Sequence, residues 1–522
     1  MVHCKFTRIL CNLQLNSITI MIKKTQTLVA ILVGLFLISA EVSSAQTGSK
    51  INNKSGYQIR VQIAGVRDSL CYLANYFGDK QYLRDSAYAD ASGNVVFEGD
   101  TALKGGIYMV VLPGKKYFEV IIDREQHFSV STVDGDYTAN MKITGSNDNQ
   151  LFYGYLKFIG VKSKEIDPLR REYEAVKNSD KQKASDLQAK MSKIDSEVLD
   201  FRSKLISENP DFLLSAVLRA TDEPKIPDFP PNPDGSRDSA SIYYYYKDHF
   251  FDNFDLRDDR LLYTPVFHPR LENFFTKMIL QIPDSINKES DKIIAQLKPG
   301  SEMFKYVVWW ITNHYETSKI MGMDAVFVHM AKNHYTKEKA FWVDDTQLFK
   351  IQDRAKVLEP ILVGKKVKNL VLNDDKGISR SLYDVKAKYT VLYFWDPDCG
   401  HCKTVTPKIK NYYDLVKKYG IQVYAVCTEV EMDKWRKFIA EYNLDWINVA
   451  DPELRNNFRH DFDISSTPQI FLLDSNKSIV AKRIEASTLS EILQKEFKKS
   501  GIDLPTIPHD PKDGAKLSTE GH

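Results

Sequence analysis

Cysteine is scarce in this sequence, with 6 residues among 522, and neither sign of charge is in clear excess. So few cysteines exclude a scaffold held together by many disulfides. Lysine and arginine number 71 and aspartate and glutamate 69, which gives a net charge of +2. This balance gives no reason to expect nucleic acid or another highly charged partner. The length predicts two or three domains, and 43% hydrophobic residues can supply their cores.

The N-terminal region lacks an apolar run long enough to cross a membrane. Residues 21–45 read MIKKTQTLVAILVGLFLISAEVSSA, with a lysine pair, an apolar run over residues 28–40 and small residues ending at Ala45. This pattern is typical of a signal peptide cleaved after Ala45, and it predicts export to the periplasm or cell envelope. The alternative is a membrane anchor, but a spanning helix needs roughly 20 apolar residues. We interpret residues 1–20 as an upstream extension.

Export decides how the remaining cysteines are interpreted. Cleavage would leave Cys71, Cys399, Cys402 and Cys427 in the mature chain. In an exported protein with so few cysteines, a CxxC pair indicates catalysis more than structure. Cys71 and Cys427 each lie in a predicted strand and are interpreted as buried and inert. A redox role for Cys427 stays open.

The spacing of apolar residues changes twice along the chain. Residues 56–146 alternate apolar and polar residues in short runs between turns, which predicts an all-β, sandwich-like domain. Residues 147–350 repeat apolar residues at helical spacing, which predicts a mainly α domain. Residues 361–500 alternate strands and helices, as in an α/β fold. Residues 504–522 hold few apolar residues and several prolines, and are predicted to be disordered.

The middle region contains two further candidate sites. The aromatic clusters at residues 243–246 and 309–310 are candidates for a binding platform, and His314, His329 and His334 are candidates for metal ligands. Aromatic residues at helical spacing more often belong to a core. The three histidines form no clustered ligand motif in the sequence. We therefore interpret both groups as ordinary core and helix residues.

The stretch FWDPDCGHCK at residues 394–403 carries the clearest chemical signal. An apolar strand ends before it and helical spacing follows, so Cys399 is expected at a helix N-terminus and Cys402 one turn inside. Residues three apart on a helix lie about 5 to 6 Å apart, within the separation that a disulfide tolerates. The helix terminus, with a protonated His401, favours a thiolate at Cys399. Cys399 is the predicted nucleophile and Cys402 the predicted resolving thiol, although Asp396 opposes a nearby negative charge.

With Trp395, Pro407 and the pair Thr467-Pro468 ahead of a late strand, this stretch resembles the thioredoxin-like superfamily. The extra helix and strand between residues 426 and 463 resemble its TlpA/ResA branch, which is related to the AhpC/TSA redoxins. The resemblance implies a multidomain protein with a C-terminal thioredoxin-like fold, ahead of which lie modules like the uncharacterised ones of some exported proteins. It also implies catalysis by Cys399, Cys402, His401 and a cis Pro468, with Trp395, Thr467 and Pro468 contacting the substrate.

The same resemblance implies the partners. They are disulfide-bonded client proteins in the envelope and a membrane electron donor, with no cofactor, metal or nucleic acid. Two positions depart from the pattern: Tyr393 stands where thioredoxin has a buried aspartate, and Val405 where the ResA branch often has a glutamate. Both familiar proton acceptors for the resolving thiol are therefore missing, and Glu429 and Glu431 are the candidate replacements.

Other functions are weighed against the redox one. A metal carrier would need further soft ligands near the CxxC pair. A redoxin-type peroxidase would need a proline seven residues before its cysteine, where Leu392 and Trp395 stand. An envelope scaffold, whose front domains capture a partner, is the alternative of a different class. The direction of electron flow and the oligomeric state stay open.

Overall fold

The structure, a computed structural model, describes residues 56–509. Its residues form two compact units, one with the chain up to Ile242 and Asp248–Pro269, the other with Tyr243–Lys247 and the chain from Arg270. The predicted signal peptide and the extension before it lie outside the described residues. Within 56–509, no helix is both long and apolar enough to span a membrane.

Two four-stranded sheets form the β part of the first unit, in the orders β4-β1-β7-β8 and β3-β2-β5-β6. The strands are β1 (Tyr57–Ala64), β2 (Leu70–Phe77), β3 (Lys80–Tyr88), β4 (Asn94–Gly99), β5 (Gly106–Val111), β6 (Tyr117–Ile122), β7 (His127–Val133) and β8 (Lys142–Thr144). Strands β1 and β7 are parallel, and the other neighbours are antiparallel. Alternate residues of β1 are buried, as in Ile59, Val61 and Ile63. This confirms the all-β prediction, and Cys71 is a buried residue of β2.

The region after β8 is mainly helical, as predicted. The first unit holds α1 (Tyr137–Asn140), α2 (Asn147–Val176), α3 (Lys181–Glu208), α4 (Leu213–Ala220) and α6 (Phe267–Asn273) as far as Pro269; α5 (Ser239–Asp248) contributes to both units. The second unit continues with α7 (Pro283–Gln296), α8 (Glu302–Glu316), α9 (Asp324–His334), α10 (Asp345–Leu358), α11 (Gly400–Val416), α12 (Met432–Glu441), α13 (Phe458–Asp461) and α14 (Ala486–Lys498).

The helices are divided between the two compact units. Helix α2 is fixed to the β part of the first unit, because the Asn149 amide bonds both backbone groups of Ile121, at 2.7 and 2.6 Å. Helices α9 and α10 instead place Phe327 and Leu358 in the core of the second unit. Helical spacing identifies a buried face, but it does not identify what covers that face.

The second unit is built around a seven-stranded sheet in the order β10-β9-β13-β12-β11-β14-β15. Its strands are β9 (Val371–Asp374), β10 (Ser379–Ser381), β11 (Tyr389–Trp395), β12 (Ile421–Cys427), β13 (Ile447–Ala450), β14 (Gln469–Asp474) and β15 (Ile479–Lys482). Strands β11, β12 and β13 are parallel, while β14 and β15 run antiparallel to their neighbours. The mixed sheet with helices confirms the α/β prediction.

Central strand β11 is buried on both faces. Its residues alternate between two cores: Val391, Tyr393 and Trp395 pack with α11 and α14, while Leu392 and Phe394 pack with α9 and α10. This explains why the strand reads as a continuous apolar run.

The chain after α14 stays in contact with the domain. Leu504 is 2% exposed, and the Ile507 N–H donates to Ser490 Oγ at 2.8 Å. The prediction of disorder is therefore wrong for residues 504–509, because the two apolar side chains pack onto the core. Residues 510–522 lie outside the described part.

Candidate active site

Strand β11 leads directly into the start of α11. Asp396 Oδ1 accepts the Asp398 N–H at 2.8 Å, which tightens the turn between the two elements. Cys399 is the N-cap residue of α11, with extended backbone angles, and Cys402 lies in the first helical turn. The sequence predicts this placement of the pair, because a strand followed by a turn and a helix is the geometry that its pattern requires.

Cys399 and Cys402 are present as free thiols, and each takes part in hydrogen bonding around the Cys399 sulfur. The Cys402 N–H donates to Cys399 Sγ at 3.3 Å, and the Cys399 thiol donates to the Thr467 carbonyl at 3.3 Å. The peptide bond between Thr467 and Pro468 is cis. The loop that carries it therefore faces the nucleophile predicted from sequence.

The two thiols have opposite electrostatic surroundings. Partial burial alone would raise the pKa of Cys399, but hydrogen bonds from the Cys402 thiol and backbone, with Thr467, outweigh it and lower that pKa. Cys402 is 0% exposed, and burial, together with its hydrogen bond to Cys399, raises its pKa to about 12. One thiol is therefore poised as an accessible thiolate, and the other is held as a buried thiol.

A cleft of about 210 Å³ lies beside the pair. It is lined by His401, Val405, Pro468, Gln469, Arg483 and Glu485, among others. His401 is exposed at the start of α11, so it borders the cleft and is not buried against either thiol. The predicted residues His401 and Pro468 thus meet at one opening.

Gln469, which follows Pro468 at the start of β14, was not identified from the sequence. Its side chain is 8% exposed, and its Oε1 has no hydrogen-bond partner among the described residues. A buried polar atom without a partner costs about 1 to 3 kcal/mol. Gln469 lines the cleft, but its Oε1 is buried in the structure, so the side chain would have to turn before this oxygen could accept a hydrogen bond from a bound chain. The only sequence signal is a polar residue opening an otherwise apolar strand.

Trp395 does not occupy the substrate-contacting position that the resemblance implied. Its side chain is 0% exposed, and its ring centroid lies 4.6 Å from that of Phe438. A fully buried ring has no surface to offer to a client. We therefore correct its assignment to packing beneath the site.

A pair of hydroxyl groups occupies the region near the resolving thiol. The hydroxyls of Tyr393 and Thr406 lie 2.9 Å apart, and both side chains are 0% exposed. Burial raises the pKa of Tyr393, and the charge of a Cys402 thiolate would raise it further. Tyr393 thus places a neutral hydroxyl where thioredoxin has a carboxylate. Thr406, four residues after Cys402, could have been anticipated as its partner from helical spacing.

The two glutamates proposed as proton acceptors are engaged elsewhere. Glu429 accepts the N–H groups of Val430 and Glu431, at 2.6 and 3.0 Å, and these bonds lower its pKa. Glu431 is exposed and pairs with Lys434 at 3.0 Å. A carboxylate with a lowered pKa is a weaker base, which disfavours Glu429, and the ion pair with Lys434 occupies the carboxylate of Glu431.

Cys427 lies at the end of β12, opposite Trp395 in the parallel pairing. It is 1% exposed, and burial strongly raises its pKa. Since the thiolate is the reactive form, this environment favours the inert interpretation of Cys427.

A reduced CxxC pair at a helix N-terminus, facing a cis-proline loop on a mixed sheet, defines a thioredoxin-fold protein of the thiol-disulfide oxidoreductase class. The AhpC/TSA family matches residues 363–482. The ResA thiol-disulfide oxidoreductase of Bacillus subtilis is 27% identical over 139 residues, which is 27% of this chain and 75% of the relative. That of Geobacillus kaustophilus is 27% identical over 25% of this chain and 73% of its own length. The C-terminal part of the chain is thus similar to the TlpA/ResA-like thioredoxin-fold proteins, and additional domains precede it.

Those additional domains match two families described as domains of unknown function, DUF4369 over residues 57–152 and DUF5106 over residues 173–359. Among solved structures, a domain of a possible thiol-disulfide isomerase from Cytophaga hutchinsonii is 44% identical, covering 27% of this chain and 96% of that one, with a TM-score of 0.26. The thioredoxin domain of a Bacteroides vulgatus thiol-disulfide oxidoreductase is 30% identical over 26% of this chain and 96% of that one, with a TM-score of 0.25.

Proposed function

We propose that this protein is exported and uses Cys399 and Cys402 as a dithiol/disulfide couple to reduce or exchange disulfides in proteins of the cell envelope. The observation that carries the proposal is the difference between the two thiols. The pKa of Cys399 is lowered and that of Cys402 is raised to about 12. Export rests on the signal-peptide pattern of residues 21–45.

The first step is attack by the Cys399 thiolate on a client disulfide. A bond forms between Cys399 Sγ and one client sulfur, while the other client sulfur leaves as a thiolate and takes a proton. The N–H of Cys402 and the helix terminus stabilise the attacking sulfur before the step, and also when it becomes the leaving group in the reverse reaction.

The second step releases the client. Cys402 loses its proton and attacks Cys399 Sγ, which forms the intramolecular disulfide and frees the second client sulfur as a thiol. The client has then gained two electrons and two protons, and the Cys399–Cys402 pair has lost them. A membrane-bound dithiol donor would restore the reduced pair by the same exchange in reverse.

The cleft beside the pair offers a place for the client chain. Pro468 and Gln469 lie on its wall, next to exposed His401. An extended client could meet backbone groups of the Thr467-Pro468 loop, as the resemblance implies, and donate an N–H to Gln469. Arg483 and Glu485 give the rim both signs of charge.

The reduction potential of the couple tests the proposal. The mature chain is equilibrated in glutathione buffers and its thiol state is read by alkylation and mass. A potential at or below about −250 mV would indicate a reductant, and one near −120 to −180 mV an oxidant or isomerase.

Two variants give this measurement its controls. Cys399→Ser should abolish the signal, whereas Cys427→Ala should leave the potential unchanged because Cys427 is buried away from solvent. If the wild-type chain formed no intramolecular disulfide in any buffer, the redox proposal would fail and the scaffold alternative would replace it.

A further inference from the structure

Helices α7 and α9 bring together three side chains that the redox chemistry does not use. Asp291 lies on α7, His329 on α9, and His334 at the C-terminal end of α9. One ligand atom from each lies within 4.8 Å of the other two. An aspartate and two imidazoles are a common ligand combination for zinc and its neighbours in the first transition series.

The geometry of the cluster is convergent. His329 Nε2 lies 2.9 and 3.0 Å from the two oxygens of Asp291, and His334 Nε2 lies 3.2 Å from Oδ1. Both rings thus direct the same nitrogen at the same carboxylate. Ligands around a tetrahedral zinc ion, with bonds of about 2.0 to 2.1 Å, are roughly 3.3 to 3.4 Å apart. Small side-chain adjustments would therefore place the three atoms around one ion.

One ligand of the cluster is buried and the other two are partly exposed, an arrangement that would let an ion enter from solvent. The His334 side chain is only 8% exposed, so its ring is held in place by the surrounding protein. Asp291 is 49% exposed and His329 23%, so the open side of the cluster faces water. The remaining coordination positions would be filled by solvent or by a ligand of the ion.

Neighbouring groups both support and oppose an ion. The Asn333 amide nitrogen lies 3.2 Å from His329 Nδ1 and donates to it, so an ion on Nε2 requires this amide to turn and present its oxygen to an Nδ1 proton. Lys339 is the nearby cation that would oppose an ion, but its ammonium donates to the Asn333 carbonyl at 2.8 Å. No charged partner for His334 other than Asp291 lies within ion-pair distance in the described chain.

The sequence conceals this site because its residues have no motif spacing. Positions five apart on an α-helix are separated by about 140° around its axis, so His329 and His334 should face different directions. Helix α9 ends at His334, and Tyr335 leaves the helical conformation with φ −95 and ψ 67. The second histidine can therefore turn towards the first. Asp291 comes from another helix and lies 38 residues before His329.

We propose that Asp291, His329 and His334 form a binding site for a divalent transition-metal ion of the zinc class. The ligand set of two imidazole nitrogens and one carboxylate oxygen leaves at least one coordination position open. The site is separate in sequence and chemistry from the CxxC pair, and its occupancy is independent of the redox function proposed above.

Cobalt(II) titration of the full mature chain tests the site, with both Cys399→Ser and Cys402→Ser introduced so that the redox thiols cannot bind the metal. The protein carries no histidine tag. We expect one Co(II) per chain by calorimetry, with visible d–d absorption and without a near-ultraviolet thiolate band. Zinc should displace it and raise the melting temperature.

His329→Ala and Asp291→Asn, made singly in the same background, should each weaken Co(II) binding at least tenfold and remove the zinc-induced rise in melting temperature. Both side chains are partly exposed, so these variants should fold, which circular dichroism checks. His249→Ala is the matched control, since His249 and Asp252 form an exposed pair 2.5 Å apart and belong to neither of the three-residue ligand clusters found among the described residues. No saturable Co(II) binding by the parent, or unchanged affinity in both variants, would overturn the proposal.

Discussion

Cys399 and Cys402 are separated by two residues, yet the fold gives their sulfur atoms opposite chemistry. The sulfur of the N-cap residue receives an N–H from the first helical turn, while the sulfur inside that turn is enclosed by the core. A helix N-terminus stabilises a negative charge only where its free N–H groups point. The asymmetry therefore follows from the position at which the helix begins.

Alkylation of the reduced chain should separate the two thiols. Cys399 should react with iodoacetamide along a pH curve whose midpoint lies below that of a free cysteine measured under the same conditions, because its pKa is lowered. Cys402 should stay unmodified in the native chain at neutral pH, since its pKa is about 12 and it is 0% exposed. Mass spectrometry of the labelled peptides gives both rates.

The Cys402→Ala variant tests the cause of this lowering. It removes the thiol that hydrogen-bonds Cys399 but keeps the backbone N–H, so the midpoint for Cys399 should move upward. Equal alkylation rates for the two thiols in the native wild-type chain would contradict the assigned roles.

Gln469→Leu should separate client binding from stability. The change removes a buried oxygen that has no partner among the described residues, so the free energy of unfolding should stay equal or rise by about 1 kcal/mol. If Gln469 accepts a client N–H, KM for a disulfide-bonded protein client should rise severalfold, with kcat little changed. Steady-state kinetics and urea unfolding measure the two effects.

A small aromatic disulfide reagent serves as the control substrate, since it needs no contact along the cleft and should react at the wild-type rate. Gln182→Leu, at an exposed position of α3, is the control variant. An unchanged KM for the protein client would remove Gln469 from the client site.

At this scale the sequence predicted the reactive pair and missed the groups around it. CxxC after an apolar strand is a local pattern, so Cys399 and Cys402 were assigned correctly to the helix start. Gln469 and the hydroxyl pair of Tyr393 and Thr406 acquire their surroundings only when β14, β11 and α11 pack together. Trp395 was assigned to the substrate because a sequence does not show which side chains the core encloses.

Among the elements, β15 and α9 are joined by a buried ion pair. The Lys482 ammonium contacts the Asp324 carboxylate at the start of α9 and also donates to the Ile361 carbonyl at 2.7 Å. The side chains are 4% and 18% exposed. Burial lowers the pKa of Lys482, and the Asp324 carboxylate opposes this shift by stabilising the charged ammonium.

Asp324→Asn should therefore destabilise the protein by about 3 to 5 kcal/mol, because it leaves a buried cation without its counter-ion. Denaturant unfolding measures the loss. The double change of Asp324→Leu with Lys482→Met should restore most of it, since a well-packed apolar pair removes both charges.

Asp345→Asn is the matched control. Asp345 also opens a helix, α10, but it is 85% exposed and lies 3.7 Å from Lys337. Its loss should cost less than about 1 kcal/mol. Equal losses at the two positions would show that the helix start, and not the buried pair, carries the effect.

Strands and helices were predictable from sequence where the spacing of apolar residues repeats over many positions. The alternation in β1 and the helical spacing in α2 identify these elements without tertiary information. Which helix covers which sheet is decided by long-range contacts such as the Lys482–Asp324 pair, 158 residues apart. For this reason the packing of residues 504–509 onto the core could not be anticipated from the sequence.

For the whole molecule, the division of the helices between two compact units determines which fragment of the chain can carry the CxxC domain with its complete core. The α/β prediction places its start at residue 361, but the core on one face of the sheet includes side chains from α9 and α10. They are Phe327, Val328, Ala331, Ala355 and Leu358. A fragment from residue 361 would expose the apolar surface that these residues cover. A fragment over residues 270–522 retains α9 and α10, whose side chains cover this face of the sheet.

The longer fragment should therefore be more stable than the shorter one by several kcal/mol, because each large apolar side chain that is uncovered costs roughly 1.5 to 3 kcal/mol. Urea unfolding of residues 270–522 and 361–522 tests this. Equal midpoints and equal slopes would mean that α9 and α10 add no stability to the sheet.

The fragment over residues 270–522 also tests whether client selection depends on the N-terminal domains, which it lacks, while disulfide exchange depends on the CxxC pair, which it contains. Residues 270–522 contain the CxxC pair, the cis-proline loop and the cleft, so the rate with a small disulfide should match that of the full mature chain. If the N-terminal domains select clients, kcat/KM for an envelope client should fall in the fragment while the small-disulfide rate holds. The clients are identified by trapping them as mixed disulfides on the Cys402→Ala chain. Equal kcat/KM values for a trapped client would show that the front domains do not select it, because every group needed for recognition would then lie after residue 270.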